Sequence, residues 1–403
     1  MTYSNAALKA PFPPGESSEK YDQAAYPSKS SNVVLSWPGR QPGNYPEETD
    51  ETKRADEILR KLGYQAPPPG RSSAEPDDGP LLLVKRSSER ASLQEEMPLA
   101  IQAYEHALAI VKEHFPVLSI KRTLHIAPLE QAVALLVESL ERNHDALLCI
   151  AKIREPNVYI FAHAINVCIY SAALALDCGK SRAEAINTGL AGLLHDTGMA
   201  LLPIALLQSS RQLTPTEQVL VKRHPVIACD LLASLPNIHS DIFSAALEHH
   251  ERYDGSGYPA GLSGSEISFI GHLMGVCSAF DAMTSSRRHK VPVSTHIALA
   301  EMFKQRNKQF HAVILESFIM MMGIYPVGSA VVLKDGYCGI VTASARKSPR
   351  RPVVTLVKDP KGHPMPPLEF DMAKEPLASI SQCVSPIEQG LDVNTILGIT
   401  KKK

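Results

Sequence analysis

Between about residue 98 and residue 322, apolar positions recur with the 3.6-residue period of helices that bury one face. Leu99, Ala103, His106, Ala107 and Val111 mark one predicted stripe. Val133, Leu136, Val137 and Leu140 mark a second, on a helix predicted over 129–145 with Pro128 at its start. Further helices are predicted to carry His163, His195, His224 and His249, with Pro203, Pro215 and Pro225 punctuating the joins. Thr214-Pro215-Thr216-Glu217 reads as an N-cap, a proline at the first helical position and an acidic first turn. After Tyr325-Pro326 the pattern changes. The runs 327–333, 339–342 and 352–357 are β-branched and separated by turn residues, with Asp335-Gly336 as a hairpin turn. The expected fold class is an all-α bundle followed by a small C-terminal antiparallel β segment.

Composition divides the chain further. Twelve of the 31 prolines fall before residue 81, in a stretch also rich in Ser, Gly and charge. Such a segment buries too little apolar surface to offset its conformational entropy, so residues 1–95 are expected to be mostly disordered. Within it, Glu51 to Leu62 is a short amphipathic candidate, read as a solvated, frayed helix. The expected helical domain covers 96–325, and residues 326–403 form the β-rich segment and a flexible tail. A net charge of −1 over 403 residues advertises neither a nucleic-acid nor a membrane surface. Seven cysteines without a Cys-x-x-Cys pair point to reduced thiols and a cytoplasmic location. No run is expected to supply the roughly 20 apolar residues of a membrane span, and the N-terminus has no signal-peptide pattern.

Candidate chemistry is concentrated in one stretch, His249-His250-Glu251-Arg252-Tyr253-Asp254-Gly255-Ser256-Gly257-Tyr258-Pro259. Adjacent imidazoles are good metal ligands, and the glycines let a backbone approach a ligand closely. Alone, this run reads equally as a buried histidine pair closing a helix before a turn. Other sites change the balance. His195-Asp196 follows the apolar run Ala191 to Leu194, His224-Pro225 opens another helix, and His163 sits in the apolar run Tyr159 to Ile165. Burying five imidazoles and a carboxylate beside apolar helices is costly unless a cation compensates them.

His163, His195-Asp196, His224-Pro225, His249-His250 and the Gly-Tyr-Pro loop, in that order, resemble the HD-GYP family, over roughly residues 100 to 345. Gly261-Leu262-Ser263-Gly264 and Phe280-Asp281-Ala282-Met283-Thr284-Ser285 with Arg287 match as well. The resemblance implies an HD-domain helical bundle and cyclic di-GMP phosphodiesterase activity giving pGpG or GMP. It implies one or two divalent cations, Fe or Mn, with His163 and His195 on one and His224, His249 and His250 on the other. Asp196 is then the bridging, catalytic carboxylate. Asp254, Gly255, Gly257, Tyr258, Pro259 and Arg287 form the implied substrate loop. A diguanylate cyclase or another signalling protein is an implied partner of that loop.

Three positions depart from the family pattern. Tyr159 stands where some members carry a glutamate for a third metal, so two metals are the expected ceiling. Met199 replaces a phosphate-contacting lysine, and Ser278 replaces an aspartate ligand of the first metal. Asp281 is expected either to order the loop or to serve as a strained substitute ligand. The first reading is therefore an active phosphodiesterase. Its alternative is a weakened member acting as a cyclic di-GMP receptor or docking module.

Overall fold

The apolar period of the first described segment produces two long helices, α1 (Leu93–Lys121) and α2 (Ile126–Ile153). On α1 the buried stripe is Met97, Ala100, Tyr104, Ala107, Val111, Phe115 and Leu118. The stripe predicted from Leu99 is thus out of phase. Leu99 is 45% exposed and His106 also faces outward, because Met97, Ala100 and Tyr104 align with Ala107 and Val111 to form the broader apolar face. On α2 the predicted positions Val133, Leu136, Val137 and Leu140 are all buried. Glu96 of α1 accepts hydrogen bonds from Ser139 at 2.6 Å and from Arg142 Nε at 2.7 Å on α2. These satisfy a carboxylate that would otherwise be buried at high cost.

The computed structural model describes residues 91–121, 124–153, 159–203, 206, 211–233, 235, 238–285, 293–344, 350–375 and 377–399. Most of the predicted disordered segment, its Glu51 to Leu62 candidate, Arg287 and the last residues of the chain lie outside these.

Helix α2 runs past its predicted end but breaks at Asn143, whose φ and ψ of −158° and 102° are not helical. The Asn143 side chain accepts a hydrogen bond from the Asp145 amide at 3.0 Å, which caps the second half of the helix. That second half anchors the C-terminal sheet. Asp145 accepts from the Ser344 amide at 3.0 Å and its hydroxyl at 2.7 Å, and Lys152 donates to Ser329 Oγ at 3.0 Å.

Helix α3 (Tyr159–Asp177) is the centre of the bundle, buried on every side from Ala162 onward. The expectation that no run is apolar enough to span a membrane needs correcting. By length and composition this 19-residue helix qualifies, with a mean hydropathy of 1.6 over its most apolar window. However, 83% of that window is buried inside the protein, as befits a central core helix. Helix α4 (Arg182–Leu194) starts at a capping box of Ser181 and Glu184 and lies directly on α3. A side chain at Gly192 would collide with Ser171 and with the Val167 carbonyl, so only glycine permits this approach. Close packing here carries the end of α4 toward the first turns of α3.

Among the described residues, six further helices complete the bundle: α5 (Pro215–Val221), α6 (His224–Leu232), α7 (Ser240–Glu248), α8 (Phe269–Thr284), α9 (Thr295–Lys304) and α10 (Ala312–Met322). The predicted cap at Thr214 is present, with Glu217 completing a capping box. A one-turn 3-10 helix, Thr197–Leu201, links α4 toward α5.

The C-terminal sheet holds five strands, β1 (Ala330–Leu333), β2 (Cys338–Ala343), β3 (Val353–Lys358), β4 (Pro364–Asp371) and β5 (Ile380–Val384). Their order is β4-β3-β2-β1-β5, and every pairing is antiparallel. Three of these strands follow the predicted runs, and the Asp335-Gly336 turn joins β1 to β2. The two edge strands were not anticipated. A four-residue helix, α11 (Val393–Ile396), is the last element among the described residues.

Candidate metal centre

Helix ends deliver the polar groups. His163 lies in the second turn of α3, His195 and Asp196 just after α4, His224 at the first position of α6, and His249 and His250 just after α7. Their convergence is asymmetric about one carboxylate. Asp196 Oδ1 is 3.1 Å from His224 Nε2 and 3.4 Å from His249 Nε2. Its other oxygen, Oδ2, is 3.6 Å from His163 Nε2 and 3.7 Å from His195 Nε2. His250 joins the first half, so Asp196, His224, His249 and His250 form one ligand group and His163, His195 and Asp196 another.

The far side of each ring decides which nitrogen faces the centre. His195 Nδ1 donates to the Gly192 carbonyl at 2.7 Å, and His224 Nδ1 to the Val221 carbonyl at 2.7 Å. His249 Nδ1 donates to the Ala246 carbonyl at 2.9 Å. His163 Nδ1 meets Asp281 Oδ2 at 2.6 Å. A carbonyl or carboxylate accepts only, so each proton sits on Nδ1 and each Nε2 lone pair points inward. His224 Nε2 and His249 Nε2 then face one another at 3.1 Å with no proton to share. Two opposed lone pairs repel at that distance unless a cation lies against both. His195 Nε2 is buried and has no hydrogen-bond partner among the described residues. The donor set therefore fits one or two divalent cations of the kind that accept imidazole and carboxylate together.

Burial pushes His195 down to about 3, and it also lowers His249 and His250, keeping these rings neutral and able to ligate. Burial alone would raise the Asp196 carboxyl, but the facing His195, His224 and His249 outweigh it and hold it well below the usual range. The centre thus combines neutral imidazoles with one ionised carboxylate.

Among the described residues, the Asp281 carboxylate is turned to His163, Asn166 and Ser285 rather than to the Gly-Tyr-Pro loop, and it is not part of either ligand group. Besides His163, it accepts from Asn166 at 2.8 Å and from Ser285 at 3.0 Å. It is the outer carboxylate that fixes the orientation of His163. Ser278, one turn earlier on α8, places its Oγ 3.5 Å from His163 Nε2, beside the half made of His163, His195 and Asp196 alone. Tyr159 stacks on His163 with centroids 5.3 Å apart.

The loop after His250 is shaped by side chains that sequence inspection passed over. Glu251 accepts three backbone donors, Ala260 at 2.6 Å, Gly261 at 3.0 Å and Leu262 at 3.0 Å. Burial pushes its carboxyl up to about 7 against the pull of those donors. This clasp closes the loop on itself, and Tyr258 stacks on His250 with centroids 4.6 Å apart and planes 20° apart. A Cβ at Gly257 would strike backbone atoms of His250, Glu251 and Arg252, so the residue type is fixed by close approach. Gly255 has φ +78°, which favours glycine. Asp254 is exposed and accepts from the Ser256 amide at 3.0 Å and its hydroxyl at 2.6 Å, a local turn rather than a contact to the centre. The signal that could have revealed the clasp was a glutamate beside a histidine pair and nine residues ahead of an Ala-Gly-Leu turn.

Residues 148–313 match the HD domain family, and residues 330–390 match the KOW domain associated with HD domains. A cyclic di-GMP phosphodiesterase of Pseudomonas aeruginosa is 32% identical over 270 residues, covering 67% of this chain and 65% of the relative. The cyclic di-GMP phosphodiesterase response regulator RpfG of Xanthomonas campestris is 38% identical over 138 residues, covering 34% of this chain and 36% of the relative. The chain spans less than two thirds of the length of either relative. Among solved structures, Bd1817, an HDG"Y"P protein from Bdellovibrio bacteriovorus, has a TM-score of 0.42 and 19% identity, covering 56% of this chain and 69% of that one.

Proposed function

We propose that this chain, a member of the HD-GYP family of HD-domain proteins, is a metal-dependent phosphodiesterase that hydrolyses cyclic di-GMP to linear pGpG or GMP. One observation carries the reading: the two oxygens of Asp196 face different sets of inward-pointing imidazoles. A receptor that had lost its metal chemistry has no need to keep four such rings, with His250 beside them, around one shared carboxylate.

Asp196 with His224, His249 and His250 would hold one cation, and Asp196 with His163 and His195 the other. Iron or manganese suits this donor set. When bound, such cations supply a nucleophile near neutral pH and offset charge on a phosphodiester. The chain's own groups do the rest. Backbone carbonyls and Asp281 lock the rings so that no reorganisation is needed when the anionic substrate arrives. Burial holds the Tyr258 phenol protonated, so it can donate a hydrogen bond at the pocket wall. Glu251 keeps the loop closed behind Tyr258.

Seven free thiols support a cytoplasmic location. The exposed Asp254 and Ser256 make the loop the proposed docking surface for a signalling partner such as a diguanylate cyclase. The test is metal analysis of the purified chain together with a cyclic di-GMP hydrolysis assay. Bound metal with formation of pGpG or GMP supports the reading; a metal-loaded chain that leaves cyclic di-GMP intact contradicts it.

A further inference from the structure

A cyclic dinucleotide carries two phosphodiester anions on opposite sides of its ring, and a metal centre can engage only the one that reacts. The other must be met by something on the pocket rim. Imidazoles line the centre, and Tyr258 forms a wall beside it, stacked on His250. Two cations come near the Tyr258 ring among the described residues. Arg252 is one, and its charge acts on the Asp254 carboxylate as well as on the phenol. Lys222 is the other, with its Nζ 5.3 Å from the ring centroid. No carboxylate pairs with Lys222 among the described residues, and the residue is exposed.

The position of Lys222 is set by the fold. Its amide donates to the Gln218 carbonyl at 2.9 Å, ending α5, and the neighbouring Val221 carbonyl accepts from His224 Nδ1. Lys222 therefore sits in the same tight turn that orients a proposed metal ligand. The 3-10 helix carrying Met199 packs against this region, since a Cβ at Gly198 would strike the His224 carbonyl. A cation–π contact to this part-buried ring holds a flexible ammonium in place without neutralising its charge.

We propose that Lys222 binds the second, non-reacting phosphate of a cyclic dinucleotide whose first phosphate lies at the Asp196 centre. Lys222 then sets affinity rather than the chemical step. This rests on the functional reading above. It also predicts that a diester with a single phosphate gains nothing from the residue.

The experiment compares the metal-loaded full chain with Lys222→Ala, Lys222→Glu and Lys222→Arg, using cyclic di-GMP and bis(p-nitrophenyl) phosphate as substrates. Losing one charge-assisted contact should raise KM for cyclic di-GMP about tenfold in Lys222→Ala, with kcat unchanged. Lys222→Glu should raise it further, and Lys222→Arg should stay within about threefold of the parent, because a guanidinium also binds phosphate. Metal content and turnover of bis(p-nitrophenyl) phosphate should not change in any variant. An unchanged KM for cyclic di-GMP in Lys222→Ala overturns the inference, as does an equal loss on the single-phosphate diester. If the parent chain fails to turn over cyclic di-GMP, the functional reading itself has failed. The inference is then read from dissociation constants for cyclic di-GMP, where equal values for parent and Lys222→Ala overturn it.

Discussion

His163 Nδ1 lies 2.6 Å from Asp281 Oδ2, a contact between residues 118 positions apart that joins the first turns of α3 to the end of α8. Asp281 accepts from three donors at once, His163, Asn166 and Ser285. An asparagine there has only one acceptor oxygen, and its amide would confront either the Asn166 amide or the His163 N–H. Asp281→Asn should therefore weaken metal binding at the His163 and His195 half by about 10- to 100-fold. The His224, His249 and His250 half should keep its metal. Metal titration with element analysis checks this; equal loss from both halves would show that Asp281 supports the whole fold rather than one ring.

The half beside Ser278 should bind the weaker of two ions, so dialysed protein should hold nearer one metal than two. Ser278→Asp places an anion beside His163 Nε2 and should raise the content toward two. In stripped protein the same buried charge should lower the melting temperature, and metal should reverse the loss. Met199→Lys, added to Ser278→Asp, should raise hydrolysis further, because it supplies a cation where charge develops in the reaction. A fast parent that gains nothing from the double change would show that neither position limits catalysis.

Much of this was legible in the chain, and the remainder was hidden for physical reasons. The histidines and the Gly-Tyr-Pro run are local motifs, so their chemistry can be read without the fold. Asp281 could not be assigned, because its partner His163 is brought to it only by the packing of α8 on α3. The break in α2 was hidden because the non-helical Asn143 stands between a periodic stripe ending at Leu140 and a continuous apolar run from Ala146 to Ala151, and such a run does not itself mark where a helix restarts. β4 was missed because Pro364, Pro366 and Pro367 cannot donate to a ladder. The strand tolerates them since only β3 pairs with it.

Glu251 clasps three consecutive amides with one carboxylate. Glu251→Ala removes every one of those acceptors and should free residues 260–262, seen as faster amide exchange there. Activity should fall while metal content stays near that of the parent, since no proposed ligand is changed. Retained exchange protection at Ala260, Gly261 and Leu262 would show that the loop is held by something else.

His272 gives a pH dependence that does not involve the metal centre. Burial pushes its imidazole down to about 4, with His311 adding to the effect and the Gly264 carbonyl opposing it. A depressed folded-state value means the neutral ring is preferred on folding. The associated stability is fully present above the unfolded value of about 6.5 and is lost as pH falls toward 4. The melting temperature should therefore drop across that window, and His272→Gln should flatten the slope. An unaltered slope in the variant would place the acid sensitivity elsewhere.

The most direct test of the account compares the parent chain with Asp196→Ala, measuring bound metal and cyclic di-GMP turnover on the same preparations. Among the described residues Asp196 is the one carboxylate in both ligand groups, so its loss should lower metal content in both halves and abolish formation of pGpG and GMP. An Asp196→Ala protein that is folded and still cleaves cyclic di-GMP at the parent's rate would contradict the assignment of the centre.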